Sequence, residues 1–176
     1  MKMLPFAVVT LLAVPLSGSL VAADRPPLYV SGGVSQFDKT IREMTTDYPL
    51  TLGLGWGSAE PALFGAPSLD LEWAHASGHG NKFDSYGVTY NERALITNNL
   101  YFGLGIGSYY NRIDATDEDG RVYDGSKWYP AGRAMIGLNL GGGSYGSLFT
   151  ELAYTYRGKI EGLDANSFSL VVGFWF

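Results

Sequence analysis

The sequence predicts an all-β protein: an eight-stranded antiparallel up-and-down β-barrel that spans a membrane and has a filled polar lumen. Three observations predict it. An apolar leader opens the chain. Eight segments of alternating residues follow. The weaker face of those segments is built from Gly, Ser and Ala rather than from long polar side chains.

The leader is read first. Lys2 gives a positive start, and Leu4 to Val14 is apolar apart from Pro5 and Thr10. Pro15, Ser17 and Gly18 break the run, and Val21-Ala22-Ala23 places small residues where a peptidase cuts. That is the anatomy of a cleaved secretory signal peptide, expected over residues 1–23, with one barrel domain over residues 24–176. The apolar run is shorter than the roughly 20 residues of a membrane-spanning helix. After Asp24 each apolar run is soon interrupted by Gly, Ser or a charge. The exported chain therefore either stays soluble or crosses a membrane with strands.

Composition narrows the choice. Cysteine is absent, so no disulfide supports this exported domain, whereas closing a sheet pairs every edge. Glycine is abundant at 24 residues and charged residues make up only 16%. Once Lys2 is set aside, 17 acidic residues face 11 basic ones, a balance of about −6. Nucleic acid, which needs a basic face, is not an expected partner.

The strands are expected near Leu28–Phe37, Tyr48–Ser58, Ser68–Ala76, Phe83–Arg93, Leu100–Ile113, Lys127–Leu140, Leu148–Arg157 and Ser167–Phe176. A membrane strand needs about 9–11 residues, and most of these segments comply. Alternation is clearest in the last, where Phe168, Leu170, Val172, Phe174 and Phe176 share one face. The large apolar face is expected outward in lipid, and the small face inward. Gly103, Gly105 and Gly107 follow a G-x-G-x-G spacing within a strand, not the loop that opens a nucleotide-binding helix. Tyr48, Trp56, Trp73, Tyr86, Tyr110, Trp128, Tyr129, Tyr154 and Tyr156 sit toward strand ends, as interfacial girdles do. With both termini on one side, four charged loops face outward: Asp38–Asp47, Ser77–Lys82, Asp114–Ser126 and Gly158–Asn166. The turns Ala59–Pro67, Ile96–Asn99 and Gly141–Ser147 face inward.

A leader, eight amphipathic strands and a final F-x-L-x-V-x-F-x-F strand resemble the small outer-membrane barrels of the OmpA/OmpX class of Gram-negative cells. The resemblance covers the mature chain as pattern. It implies an outer-membrane location in the cell envelope. It also implies that Phe168, Leu170, Val172, Phe174 and Phe176 form the signal read by the barrel assembly machinery. Outer-membrane lipid and lipopolysaccharide are the other expected partners, and the barrel is expected to be a monomer.

Three sets of residues could carry chemistry. By parity Asp70, Glu72, Arg133, Glu151 and Arg157 point into the lumen, where they form ion pairs that fill it or line a porin-like polar path. Arg133 and Glu151 fall on adjacent strands and could meet directly. His75 and Ser77 share an outward face, as a base and a nucleophile would. That pair is similar to the H-x-S of outer-membrane lipid A deacylases, with Glu92 as the candidate acid, although here Gly78 follows Ser77. Asp114, Asp117, Glu118, Asp119 and Asp124 crowd one outer loop, without the order of a calcium-binding EF-hand loop. No metal and no cofactor is expected. The leading expectation is a non-enzymatic barrel with an envelope-structural or surface-contact role through short outer loops. The alternatives are a deacylase-like enzyme using His75 and Ser77, and a soluble exported barrel that binds a small apolar ligand.

Overall fold

A computed structural model of the chain describes residues 28–46, 48–57, 66–143 and 146–176. The expected leader, Asp47, most of the first inward turn and the centre of the third lie outside them. Eight strands close a barrel: β1 Leu28–Phe37, β2 Leu50–Gly57, β3 Ala66–Gly78, β4 Asn81–Leu95, β5 Leu100–Thr116, β6 Val122–Gly143, β7 Gly146–Tyr156 and β10 Ser167–Trp175. Each pairs antiparallel with its neighbour in sequence around the ring, and β1 closes against β10. A short helix, α1 Lys39–Met44, and a small hairpin, β8 Lys159–Ile160 with β9 Leu163–Asp164, lie outside the ring order.

Period-two alternation sets the two faces. Along β10, Ser167, Ser169, Val171 and Trp175 are buried while Phe168, Leu170 and Val172 are exposed. On β2, Leu50, Leu52, Leu54 and Trp56 are outward and exposed. The large apolar residues therefore cover the outside, the reverse of what a soluble barrel with an apolar ligand inside requires. The glycines of the small face make room for lumen aromatics. A Cβ on Gly87 would strike the Tyr109 ring, and one on Gly137 would strike the Tyr101 ring.

Two outer loops are shorter than the sequence expectation. The Ser77–Lys82 loop is a hairpin turning on His79 (φ 54°) and Gly80 (φ 83°) alone, the double positive φ of a type I′ turn. Most of the Asp114–Ser126 loop is ladder, with pairing that runs to Thr116 and Val122. Only Asp117–Arg121 turns. Asp117 accepts the Asp119 and Arg121 amides at 3.1 and 2.9 Å, so its carboxylate is occupied by its own turn. Tyr129, expected in a girdle, has lumen parity instead, on the same face of β6 as buried Arg133.

The end away from the termini carries a lid. Asp38 caps α1 by accepting from the Thr40 amide. Ile41 and Met44 then bury against Phe37, Phe83 and Ile113, with Ile160 and Ala165 from the far loop in the same cluster. Asn81 joins three loops: it donates to Met44 O (2.8 Å) and Thr116 O (3.0 Å) and accepts from Thr116 N (2.9 Å). At the termini end Tyr29, Phe149 and Trp175 form a second apolar cluster.

Candidate functional site

Between the two apolar clusters lies a chain of buried charges. Arg93 reaches Asp70 and Glu151, each at 3.2 Å. Arg133 joins Glu151 (3.0 Å) to Glu72 (2.8 Å). Arg157 contacts Glu72 and Ser167, and its guanidinium lies 4.5 Å from the Tyr109 ring centroid. Three arginines thus alternate with three acids and the set is neutral. Each ion is nearly or fully inaccessible to solvent. Burying charge is costly unless it is paired and hydrogen-bonded; here Tyr101 on Glu151, Asn91 on Asp70, and Tyr29 and Ser68 on Arg93 use part of the remaining capacity, while Asp70 Oδ1, Arg133 Nε and Arg157 Nε have no hydrogen-bond partner among the described residues. The cavity left beside this network has a volume of about 10 Å³. That is room for about one water, not for a path.

The outside of β3–β6 carries a second constellation. Trp73, Tyr86, Tyr110 and Trp128 follow one another across four strands in one register row. One step toward the lidded end, the row reads His75, Asp84, Arg112 and Ser126. His75 Nδ1 lies 2.8 Å from Asp84 Oδ1 and its ring stacks on Trp73 at 5.8 Å. Trp73 Nε1 donates to the same oxygen at 3.4 Å. Beneath them an apolar groove of about 440 Å³ is lined by Leu52, Leu71, Trp73, Tyr86, Val88 and Trp128.

The geometry redistributes the expected catalytic residues. Ser77 is exposed on the same face as His75, and among the described residues no hydrogen bond joins them. Glu92 is not near this pair. It sits opposite Pro67, eight residues along β4 from Asp84, about 27 Å away at strand rise. Its carboxylate accepts instead from Tyr90 at 3.0 Å. The acid beside His75 is Asp84, which the hairpin turn at His79-Gly80 brings across the ladder.

No protein-family model matches this sequence, and no curated protein matches it either. Solved structures do match the fold. The attachment invasion locus protein Ail of Yersinia pestis superposes with a TM-score of 0.61 at 15% identity, covering 87% of this chain and 100% of that one. Neisserial surface protein A superposes with a TM-score of 0.62 at 13% identity, covering 85% and 94%. Both are closed by eight strands. This chain has the fold of the small eight-stranded outer-membrane barrels.

Within that fold two site residues escaped the sequence reading although signals for both were present. Arg93 follows Asn91 at the parity that turns β4 side chains inward. An inward set of Asp70, Glu72, Glu151, Arg133 and Arg157 also lacks one cation for neutrality, and Arg93 supplies it. Asp84 was findable from the turn: pairing Gly78 with Asn81 puts position 84 opposite position 75.

Proposed function

We propose that this protein is a non-conducting, non-enzymatic barrel of the Gram-negative outer membrane, with an envelope-structural or surface-contact role through its lidded end. The observation that carries the reading is the pairing of an apolar exterior with a lumen closed by a neutral charge network. Outward Leu, Phe and Tyr anchor the barrel among outer-membrane lipids and lipopolysaccharide, and the Trp73–Trp128 row sits at the lipid boundary, where amphipathic rings are favoured. Phe168, Leu170, Val172, Phe174 and Phe176 act as the signal for the barrel assembly machinery, after a cleaved leader has directed export. The barrel stands as a monomer, since a closed sheet leaves no edge within the lipid. The test is cell fractionation with heat-shift electrophoresis. The protein is expected only in detergent-extracted outer membranes, migrating faster unheated than heated. Recovery in the soluble periplasm would overturn the reading, and steady ion conductance in a planar bilayer would overturn its non-conducting part.

One observation favours a second reading. The His75–Asp84 contact beside an apolar groove is the arrangement an acyl-ester hydrolase acting on an outer-leaflet lipid would use. Ser77 would be the nucleophile and Asp84 would take the orienting place expected of Glu92. Mass spectrometry of lipid A from cells with and without the protein decides this. An acyl chain lost only when Ser77 is intact supports the enzyme, and an unchanged pattern ends it.

A further inference from the structure

One ionisable residue on the outer face of the wall has no part in either reading above. A ladder row followed once around the ring from Trp128 returns to β6 at Leu138, ten residues nearer the termini. Such a stagger tilts eight strands by about 40° from the barrel axis. Glu92 follows Tyr86, Val88 and Tyr90 along the outward face of β4. At strand rise and that tilt it lies about 15 Å nearer the termini than Tyr86. The lipid-facing band of such a barrel is about 25 Å tall, so Glu92 belongs to its half nearer the termini.

Its surroundings are apolar. Across the ladders Glu92 meets Pro67 and Leu104, and its row continues through Ala134, Tyr154 and Phe168. Apolar side chains go on past it: Phe102, Leu95 and Ile96, all nearer the termini, are exposed. Asp70, Glu72, Arg93, Arg133 and Glu151 are buried in the lumen. Among the described residues, Glu92 is thus the one charged side chain that the strands turn outward between the girdle row and the termini end. A charge facing lipid is costly without a counter-charge. The chain supplies a donor but no cation. Tyr90 gives its hydroxyl to Glu92 Oε1 at 3.0 Å, and no Lys or Arg among the described residues reaches the carboxylate. A carboxylate has about four acceptor sites, so most of this one stays open.

Depth and chemistry together identify the ligand. A soluble polypeptide would have to leave water to reach this level. A phospholipid headgroup already stands at the edge of the band, with its chains beside Leu104 and Phe102. In the membrane placement above, the half nearer the termini is the periplasmic leaflet, away from the lipopolysaccharide of the outer face. A primary ammonium brings one positive charge and three N–H donors, which suit the open sites of the carboxylate. The exposed Tyr90 ring offers the same cation a π face. A quaternary ammonium has the charge without the donors, and a glycerol headgroup has hydroxyls under a net negative charge. We propose that Glu92 and Tyr90 hold the primary ammonium of a phosphatidylethanolamine-type headgroup in the periplasmic leaflet. This rests on the membrane placement above and names a lipid and a site for it.

The full barrel, refolded in detergent micelles, is given equal amounts of phosphatidylethanolamine, its mono-, di- and trimethylated forms and phosphatidylglycerol, all with the same chains. Native mass spectrometry counts the lipids that stay bound. Retention is expected to fall with each methyl group, by about fivefold or more from the unmethylated to the trimethylated lipid, as charge-assisted hydrogen bonds are lost. Phosphatidylglycerol should be retained least. Glu92→Gln should erase that ranking while the heat-shift of the barrel persists. Glu118→Gln, in the β5–β6 turn, should leave the ranking as it is. By NMR, the ethanolamine methylenes should contact the Tyr90 ring in the unaltered barrel and not in the Glu92→Gln variant. Equal retention across the methylated series would overturn the proposal without recourse to any variant. A ranking that survives Glu92→Gln, or that Glu118→Gln also erases, would overturn it too. Recovery in the soluble periplasm would instead end the membrane placement, whatever the lipid ranking, so the two failures are told apart.

Discussion

The middle of the lumen and its lidded end are equally closed to solvent, yet they are held together by different means. In the middle, Arg93, Glu151, Arg133, Glu72 and Arg157 meet in a fixed order, and each ion depends on the one before it. At the lid, Ile41, Met44, Phe83 and Ile160 need only fill volume. Ion pairs in a dry interior demand partners at defined distances, while apolar contacts tolerate repacking. The difference teaches that the barrel wall and its contents are specified by pairing, and the lid by shape.

The largest expected effect breaks the middle. Arg133→Met leaves Glu72 and Glu151 each short of a cation, and should cost about 3–5 kcal/mol. Urea unfolding of the refolded barrel measures it, and a change below about 1 kcal/mol would show that the network adds little. Next comes the lid. Ile41→Ala removes a fully buried side chain, a change worth about 2–4 kcal/mol. That cost should appear as faster amide exchange in α1 and residues 158–166, with the unfolding midpoint of the barrel nearly unmoved. If both regions loosen together, lid and barrel are one cooperative unit and the contrast fails.

Asn81→Ala probes the joint between them. It orphans Met44 O and Thr116 N–H, a loss of about 1–3 kcal/mol. Exchange should rise at α1 and at the β5–β6 turn at once, because one side chain holds both. The smallest effect belongs to the surface. Lys39 and Glu43 lie 3.5 Å apart, both well exposed, and Glu43→Gln should change stability by less than about 0.5 kcal/mol. A larger value would mean that the lid, too, depends on charge.

The sequence disclosed most where physics imposes a period. Leu50 through Trp56 and Phe168 through Val172 alternate because one face is turned outward and the other into the narrow lumen, so those strands and their facing were legible. Arg133 and Glu151 were placed by the same parity. The upper β5–β6 ladder was not legible. Residues such as Asp114, Ser126 and Lys127 lie in the polar stretch that begins beyond the Tyr110–Trp128 pair, where the strands need no apolar stripe. The lid was hidden for a different reason. Ile41, Met44 and Ile160 are isolated apolar residues in polar loops, and nothing local shows that distant loops converge on one mouth. Asp84 beside His75 became visible only through the two-residue turn.

The seam between β1 and β10 has a temporal consequence. Tyr29 pairs with Trp175 and Phe37 with Ser167, so the first strand finds its second neighbour only in the last. Seven of the eight ladders can zip between neighbours in order. The eighth waits for β10 to meet β1, and until then those two strands both present raw edges. Closure is thus set by one late pairing: the cylinder exists only once β10 has reached β1.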